Sequence, residues 1–166
     1  VVAAAEAGFN VEVVPGPSAV TAALALSGFS GDAFLFLGFL PRRKIDRLAA
    51  LREASMSAVP LVLFEAPHRL RATLADLDTV FGGRQLAVCR ELTKLHEEVF
   101  RGAAAQALDH FALPRGEVVL VVQGWQAEDS GQPGAGGEDE VATELNLRQM
   151  LSDLKEDRVR AKDAVA

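Results

Sequence analysis

The sequence predicts a mixed α/β domain: a partly antiparallel sheet flanked by helices, followed by a short helical tail. Three observations carry this. Apolar strand-like runs alternate with segments of helical periodicity as far as about Val80. Beyond that come two strand-like runs in succession, a helix and a final strand, an order that argues against an all-parallel sheet. Pro60–Phe64 has almost no polar alternation, as in a strand covered on both faces, and the last run, Glu117–Val122, is unbroken Val and Leu after its first residue.

Each element follows from local chemistry. Val1–Ala7 reads as the end of a helix capped by Gly8, and Asn10–Val14 as a short strand. Pro15 and Pro17 cannot donate to a sheet ladder, so that strand stops there, and Gly16 between them makes a tight corner. Ser18 is placed to cap a small-residue helix, Ala19–Ser27, which Gly28 ends. Its alanines at 22, 23 and 25 keep the helix thin enough for close packing. Ala33–Phe39 is a strand, and Asp46–Met56 a helix with Leu48, Leu51 and Ala54 on one face. After Pro60–Phe64, Pro67 stands where the first helical turn tolerates it, and that helix runs to about Val80. Gly82-Gly83 turns the chain into Gln85–Cys89. Glu97–Phe100 is a further strand, Ala103–Phe111 a helix and Glu117–Val122 the last strand.

Composition narrows the class. One Cys among 166 residues excludes a disulfide framework and argues for a reducing compartment, here the cytoplasm. No run approaches the roughly 18 uninterrupted apolar residues of a membrane span, and the first residues carry no secretion pattern. The net charge is −6. Residues 126–166 hold most of this acidity, so the body is near neutral with a local cluster at Arg42, Arg43, Lys44 and Arg47. Nucleic acid is therefore neither required nor excluded as a partner. Residues 126–140 read as an acidic, Gly-rich linker and 141–166 as a partial helical extension.

Five punctuated segments could carry chemistry, and four of them close an apolar run, where α/β proteins place ligand loops. Pro15–Ala19 fixes a corner whose following helix could receive a polar ligand, or which is only a rigid joint. Gly38–Lys44 places three cations beyond a strand end, suited to phosphate or RNA backbone or simply to solvent. Phe64–Leu70 sets Glu65, His68 and Arg69 beside a strand end. Glu65 there could pair with Arg69 or Arg90, and His68 could act in acid–base chemistry. In Cys89–Lys94 the thiol follows an apolar run and reads as inward-facing and inert, leaving Arg90, Glu91 and Lys94 as the better candidates. Arg115-Gly-Glu117 is the fifth. The His and Cys spacings form no metal pattern, and no Gly-x-Gly-x-x-Gly or Walker loop is present.

Together, Pro15–Gly28, Gly38–Arg42, Phe64–Leu70, Cys89–Lys94 with Glu97-Glu98, and Arg115–Glu117 resemble the bacterial ribosomal RNA small subunit methyltransferase I family. This family lies within the tetrapyrrole-methylase-like superfamily. The resemblance covers about Val1–Gly124. It implies two α/β domains with S-adenosyl-L-methionine in the cleft between them, and 2′-O-methylation of a cytidine in 16S rRNA. By that resemblance, residues 1–14 end a first domain that is otherwise missing, and 15–125 are the second domain. It implies cofactor contacts from Ser18, Ala19, Phe64, Glu65, Cys89, Glu117 and Val118. It implies RNA contacts from Arg42, Arg43, Lys44, Arg69, Arg90, Glu91 and Lys94, with catalytic help from Glu65, His68 or Lys94. It further implies 16S rRNA or the small ribosomal subunit as partner, a homodimer, no membrane and no metal. Two readings compete: a tetrapyrrole methyltransferase of the precorrin or uroporphyrinogen type, and a non-catalytic interaction domain. The basic Arg42–Lys44 cluster and the charged Arg90–Lys94 segment favour RNA.

Overall fold

Strands rich in Val, Leu and Phe pair into one five-stranded sheet because helices can cover both of its faces. The computed structural model describes residues 1–126. Its elements are α1 (Val2–Glu6), α2 (Ala19–Ser27), β1 (Leu35–Phe39), α3 (Lys44–Ala54), β2 (Leu61–Glu65), α4 (Pro67–Phe81), β3 (Gln85–Arg90), β4 (Glu98–Ala103), α5 (Ala104–His110) and β5 (Val118–Val122). The strand order is β1-β2-β5-β3-β4. β1 and β2 are parallel, joined through α3, whereas β5 runs antiparallel to both β2 and β3, and β4 antiparallel to β3. The mixed sheet expected from the element order is thus present.

β5 is central, and all five of its residues are buried. On one face Leu61, Leu63, Leu86, Val88, Leu120 and Val122 meet Leu51, Leu70, Leu74 and Leu77 from α3 and α4, with Ala104 and Ala107 from α5. On the other, Val62, Ala87, Cys89, Val119 and Val121 meet Ala23 and Leu24 of α2. The thinness of α2 is used there. Its Ala23 carbonyl lies 3.9 Å from the Cys89 sulfur, a separation that a larger side chain at 23 would enlarge. Gly28 closes α2 in the left-handed region at φ 80°. α2 has no basic residue of its own in the last turn, and Arg101 of β4 supplies one, donating to the carbonyls of Leu26 and Ser27.

Four expectations are corrected. Asn10–Val14 is not a strand, because no described strand pairs with it; Val13 and Val14 are exposed. Ser18 occupies the N-cap position without a side-chain capping bond; its carbonyl instead accepts from Thr21 Oγ1 at 3.2 Å. α3 begins at Lys44, two residues earlier than its apolar spacing suggests, and buries Arg47 while leaving Leu48 half-buried. β4 extends to Ala103, because each of its residues finds a register partner on β3. The linker beyond Gln126 and the helical extension over 141–166 lie outside the described residues.

Candidate functional site

Pairing register brings four of the five punctuated segments to one end of the sheet. Phe39 pairs with Phe64, Glu65 with Val118, Arg90 with Val118, and Arg90 with Glu98. Three strands finish at that end and two start there, so the loops after β1, β2 and β3 meet the Arg115–Glu117 loop before β5. The start of α2 joins them, because Ala19 lines the same cavity as Phe64 and Val118. That cavity has a volume of about 400 Å³.

Its walls are mainly apolar: Ala19, Phe39, Phe64, Ala66, Pro67, Val118 and Val119, with Glu65, Gly116 and Glu117 as the other members. A β-bulge in β1 helps to shape it. The register shifts between Phe36 and Gly38, and Gly38 has φ 63°. The shift sets both Phe36 and Phe39 against Phe64, with ring centroids 5.1 and 5.6 Å apart. Gly116, at φ 81°, brings backbone close to the Glu91 side chain, where a Cβ would collide with the carboxylate. Ala19, Phe64, Glu65, Glu117 and Val118 were read from sequence and do line the cavity. Ser18 does not line it, although it adjoins Ala19. Cys89 does not line it either: it is wholly buried beneath α2, and burial pushes its thiol up to about 11.

Glu65 is 2% exposed and holds the adjoining loop. It accepts from Thr73 Oγ1 at 2.5 Å and Ala66 N at 2.8 Å, and pairs with Arg69 at 3.4 Å. The pairing with Arg69, rather than with Arg90, settles the alternative left open by sequence. Arg69 also donates to the carbonyls of Leu40 (2.9 Å) and Pro41 (3.2 Å). Arg47 meets the same loop from α3. It donates to Arg42 O at 3.1 Å and pairs with buried Asp76 of α4 at 2.6 Å. Two arginines thus grip the backbone that presents Arg42, Arg43 and Lys44, all exposed. Arg43 lies 3.6 Å from Asp46, and Lys44 lies 3.7 Å from Asp76. Sequence reasoning took Arg47 for a member of the basic cluster and missed Asp76. The visible signal was a cation on the apolar face of α3 and an Asp among leucines in α4, a combination that buried pairing explains.

Arg90 pairs with Glu98 at 2.8 Å, and Glu98 also meets His110 at 2.6 Å. His110 first, then Arg90, hold the Glu98 carboxyl below its usual value. Lys94 bridges Glu91 and Glu117 at 3.0 Å each. Glu91 also accepts from Glu117 N at 2.8 Å, which, ahead of Lys94, lowers its carboxyl. Hydrogen bonds to Glu91 and then Glu117 raise the Lys94 ammonium. The bridge stands over the turn, where Glu91 and Thr93 have φ 51° and 67°. His68 is exposed and faces a different cavity, of about 300 Å³.

The sequence profile of the Tetrapyrrole (Corrin/Porphyrin) Methylases matches residues 1–108. The protein named ribosomal RNA small subunit methyltransferase I from Thermotoga maritima is 45% identical over 119 residues, covering 70% of this chain and 53% of that protein. Its namesake from Erythrobacter litoralis is 38% identical over 154 residues, covering 92% and 52%. The chain therefore spans about half the length of these curated relatives. Among solved structures, the methyltransferase CobJ superposes with a TM-score of 0.55 at 18% identity, over 80% of this chain and 56% of that one. Uroporphyrin-III C-methyl transferase from Thermus thermophilus, complexed with S-adenyl homocysteine, gives 0.50 at 14% identity, over 72% and 55%. These two likenesses concern the fold. With the family profile matched over most of the described residues and the sheet shared with solved methyltransferases, the chain belongs to the tetrapyrrole (corrin/porphyrin) methylase family.

Proposed function

We propose that this chain forms one half of a cleft that transfers a methyl group from S-adenosyl-L-methionine to the 2′-oxygen of a cytidine in 16S rRNA. The convergence of four strand-end loops and the start of α2 on one cavity supports this most directly. The identity to proteins named ribosomal RNA small subunit methyltransferase I favours RNA over a tetrapyrrole substrate.

The cavity fits the donor's mixed character. Phe39, Phe64, Val118 and Val119 offer apolar and aromatic surface, Ala19 and Gly116 leave room for close approach, and Glu117 adds a polar rim. When bound, S-adenosyl-L-methionine supplies a methyl on a positively charged sulfur, already activated for displacement. The chain's own residues then have two tasks: to orient the ribose and to assist loss of its hydroxyl proton. The gripped loop at 40–44 presents Arg42, Arg43 and Lys44 for phosphate contacts in a fixed geometry. Arg90, Glu91 and Lys94 stand at the same sheet end, restrained by their ion pairs. Glu65 and Lys94 fit positioning better than proton removal. Glu65 is buried and engaged, and Lys94 is held as a cation. His68 is exposed on the neighbouring surface and fits an RNA contact.

The same reading places the protein in the cytoplasm as a homodimer acting on the small ribosomal subunit. Among the described residues no helix is long and apolar enough to cross a membrane. A chimera tests the proposal: the first half of the Thermotoga maritima relative joined ahead of Val1. Labelled methyl groups should appear in 16S rRNA as 2′-O-methylcytidine, and the 166-residue chain alone should transfer few or none. Methylation of uroporphyrinogen but not rRNA would establish the tetrapyrrole reading instead, and transfer to neither would refute both.

A further inference from the structure

A second cavity lies beside the first, at the start of α4. It has a volume of about 300 Å³ and is lined by Pro67, His68, Arg71, Leu113, Pro114 and Arg115, with Ala112. None of its lining residues is a carboxylate, whereas two are arginines and one a histidine. His68 and Arg71 are three apart on α4 and therefore share a helix face. Arg115 arrives from the loop before β5, and Arg71 ties the end of α5, from which that loop leaves, to α4. Arg71 Nη1 donates to Leu108 O at 2.5 Å and to Phe111 O at 2.9 Å. Those two bonds use both Nη1 hydrogens. Guanidinium carries five N–H donors, so three remain.

The adjoining cavity, of about 190 Å³, makes the contrast. It also includes Arg115 and holds Arg90 and His110, but Glu98 sits between those two and pairs with both. There Glu98 pairs with Arg90 and His110, whereas among the described residues no carboxylate pairs with His68, Arg71 or Arg115. Cation excess in a concave site, with directed N–H donors and apolar walls, suits a phosphate group.

We propose that His68, Arg71 and Arg115 form a subsite for a backbone phosphate of the RNA strand, flanking the nucleotide whose ribose enters the first cavity. This rests on the RNA reading above and deepens it, because it names residues that hold the strand on the β5 side as Arg42–Lys44 would on the β1 side. Pro67 lines both cavities, so a strand passing from one to the other crosses the start of α4.

Two titrations of the 166-residue chain test this. In the first, inorganic phosphate is added at constant ionic strength while amide chemical shifts are recorded. Signals of His68, Arg71 and Arg115 should move saturably, and Arg115→Gln and His68→Gln should each weaken phosphate binding several-fold. In the second, a short single-stranded RNA is followed by fluorescence anisotropy at two salt concentrations. There Arg115→Gln should lower the slope of log affinity against log salt by about 0.7, the value for one lost single-strand phosphate contact. Saturable phosphate binding at these residues without RNA binding would support the anion site and overturn the RNA reading. Phosphate shifts that are absent here, or spread over all exposed cations, would overturn the site even if RNA binds elsewhere.

Discussion

Cys89 illustrates how far a single residue can be read. Its place at the end of an apolar run predicts an inward thiol, and the structure buries it under α2 with its pKa pushed up from 9.0 to about 11. The thiolate is the reactive form, so this shift alone slows labelling about a hundredfold below pH 9 relative to unfolded protein. Thiol-reagent kinetics at about pH 8 should show at least that protection, and native labelling as fast as denatured would contradict it. The buried pair Arg47–Asp76 was not legible in the same way. Hydrophobic spacing reports which face of a helix turns inward, but not that a charge on that face has a partner 29 residues away. Arg47→Ala leaves Asp76 buried with only the more distant Lys44 ammonium, and should cost about 3–5 kcal/mol in chemical denaturation. Arg47→Met with Asp76→Leu should recover most of that. Because Arg47 also holds the Arg42 carbonyl, the double variant should still exchange amides faster through residues 40–44.

The elements were legible wherever their own chemistry defined them. Ala19–Ser27 with its Gly28 stop, and the helix opened by Pro67, stand where capping and proline rules put them. Asn10–Val14 fails because a strand is a relation between two segments, and its own pattern cannot supply the second. Register is likewise a pairwise property, so the meeting of the strand-end loops could be suspected from position in the chain but not located. The β3–β4 turn is an element held by charge. The Glu98 and Glu91 carboxyls lie below their ordinary 4.5, so the stability they contribute is present above about pH 4.5 and is lost as pH falls through their lower folded-state values. Between about pH 5 and pH 3 the wild-type chain should therefore lose more stability in urea than Glu98→Gln does. Equal losses would show that the Arg90–Glu98–His110 contact does not stabilise the fold.

At the scale of the whole described domain, residues 1–126, two layers of helices hold a mixed sheet whose one end carries nearly all the candidate chemistry. The first cavity is apolar and small-residue-lined, while the loop at 40–44 and the cavity at His68 carry cations on either side of it. This division is the one that the proposed reading requires, with the methyl donor in the first cavity and the phosphates of an RNA strand beside it. Of the residues that the resemblance assigns to the cofactor, Ala19, Phe64, Glu65, Glu117 and Val118 line this cavity, whereas Ser18 and Cys89 do not. Cys89 shares the sheet face of Val119 and Phe64, but α2 packs directly over it and closes it off from the cavity. The most direct test is an amide chemical-shift titration, with S-adenosylhomocysteine, of the chimera in which the first half of the Thermotoga maritima relative precedes Val1. The signals of Ala19, Phe64, Gly116 and Val118 should move together with one dissociation constant, and Phe64→Ala should weaken it. No movement at these residues up to millimolar ligand, or saturable movement confined to another part of the sheet, would contradict the assignment of this cavity.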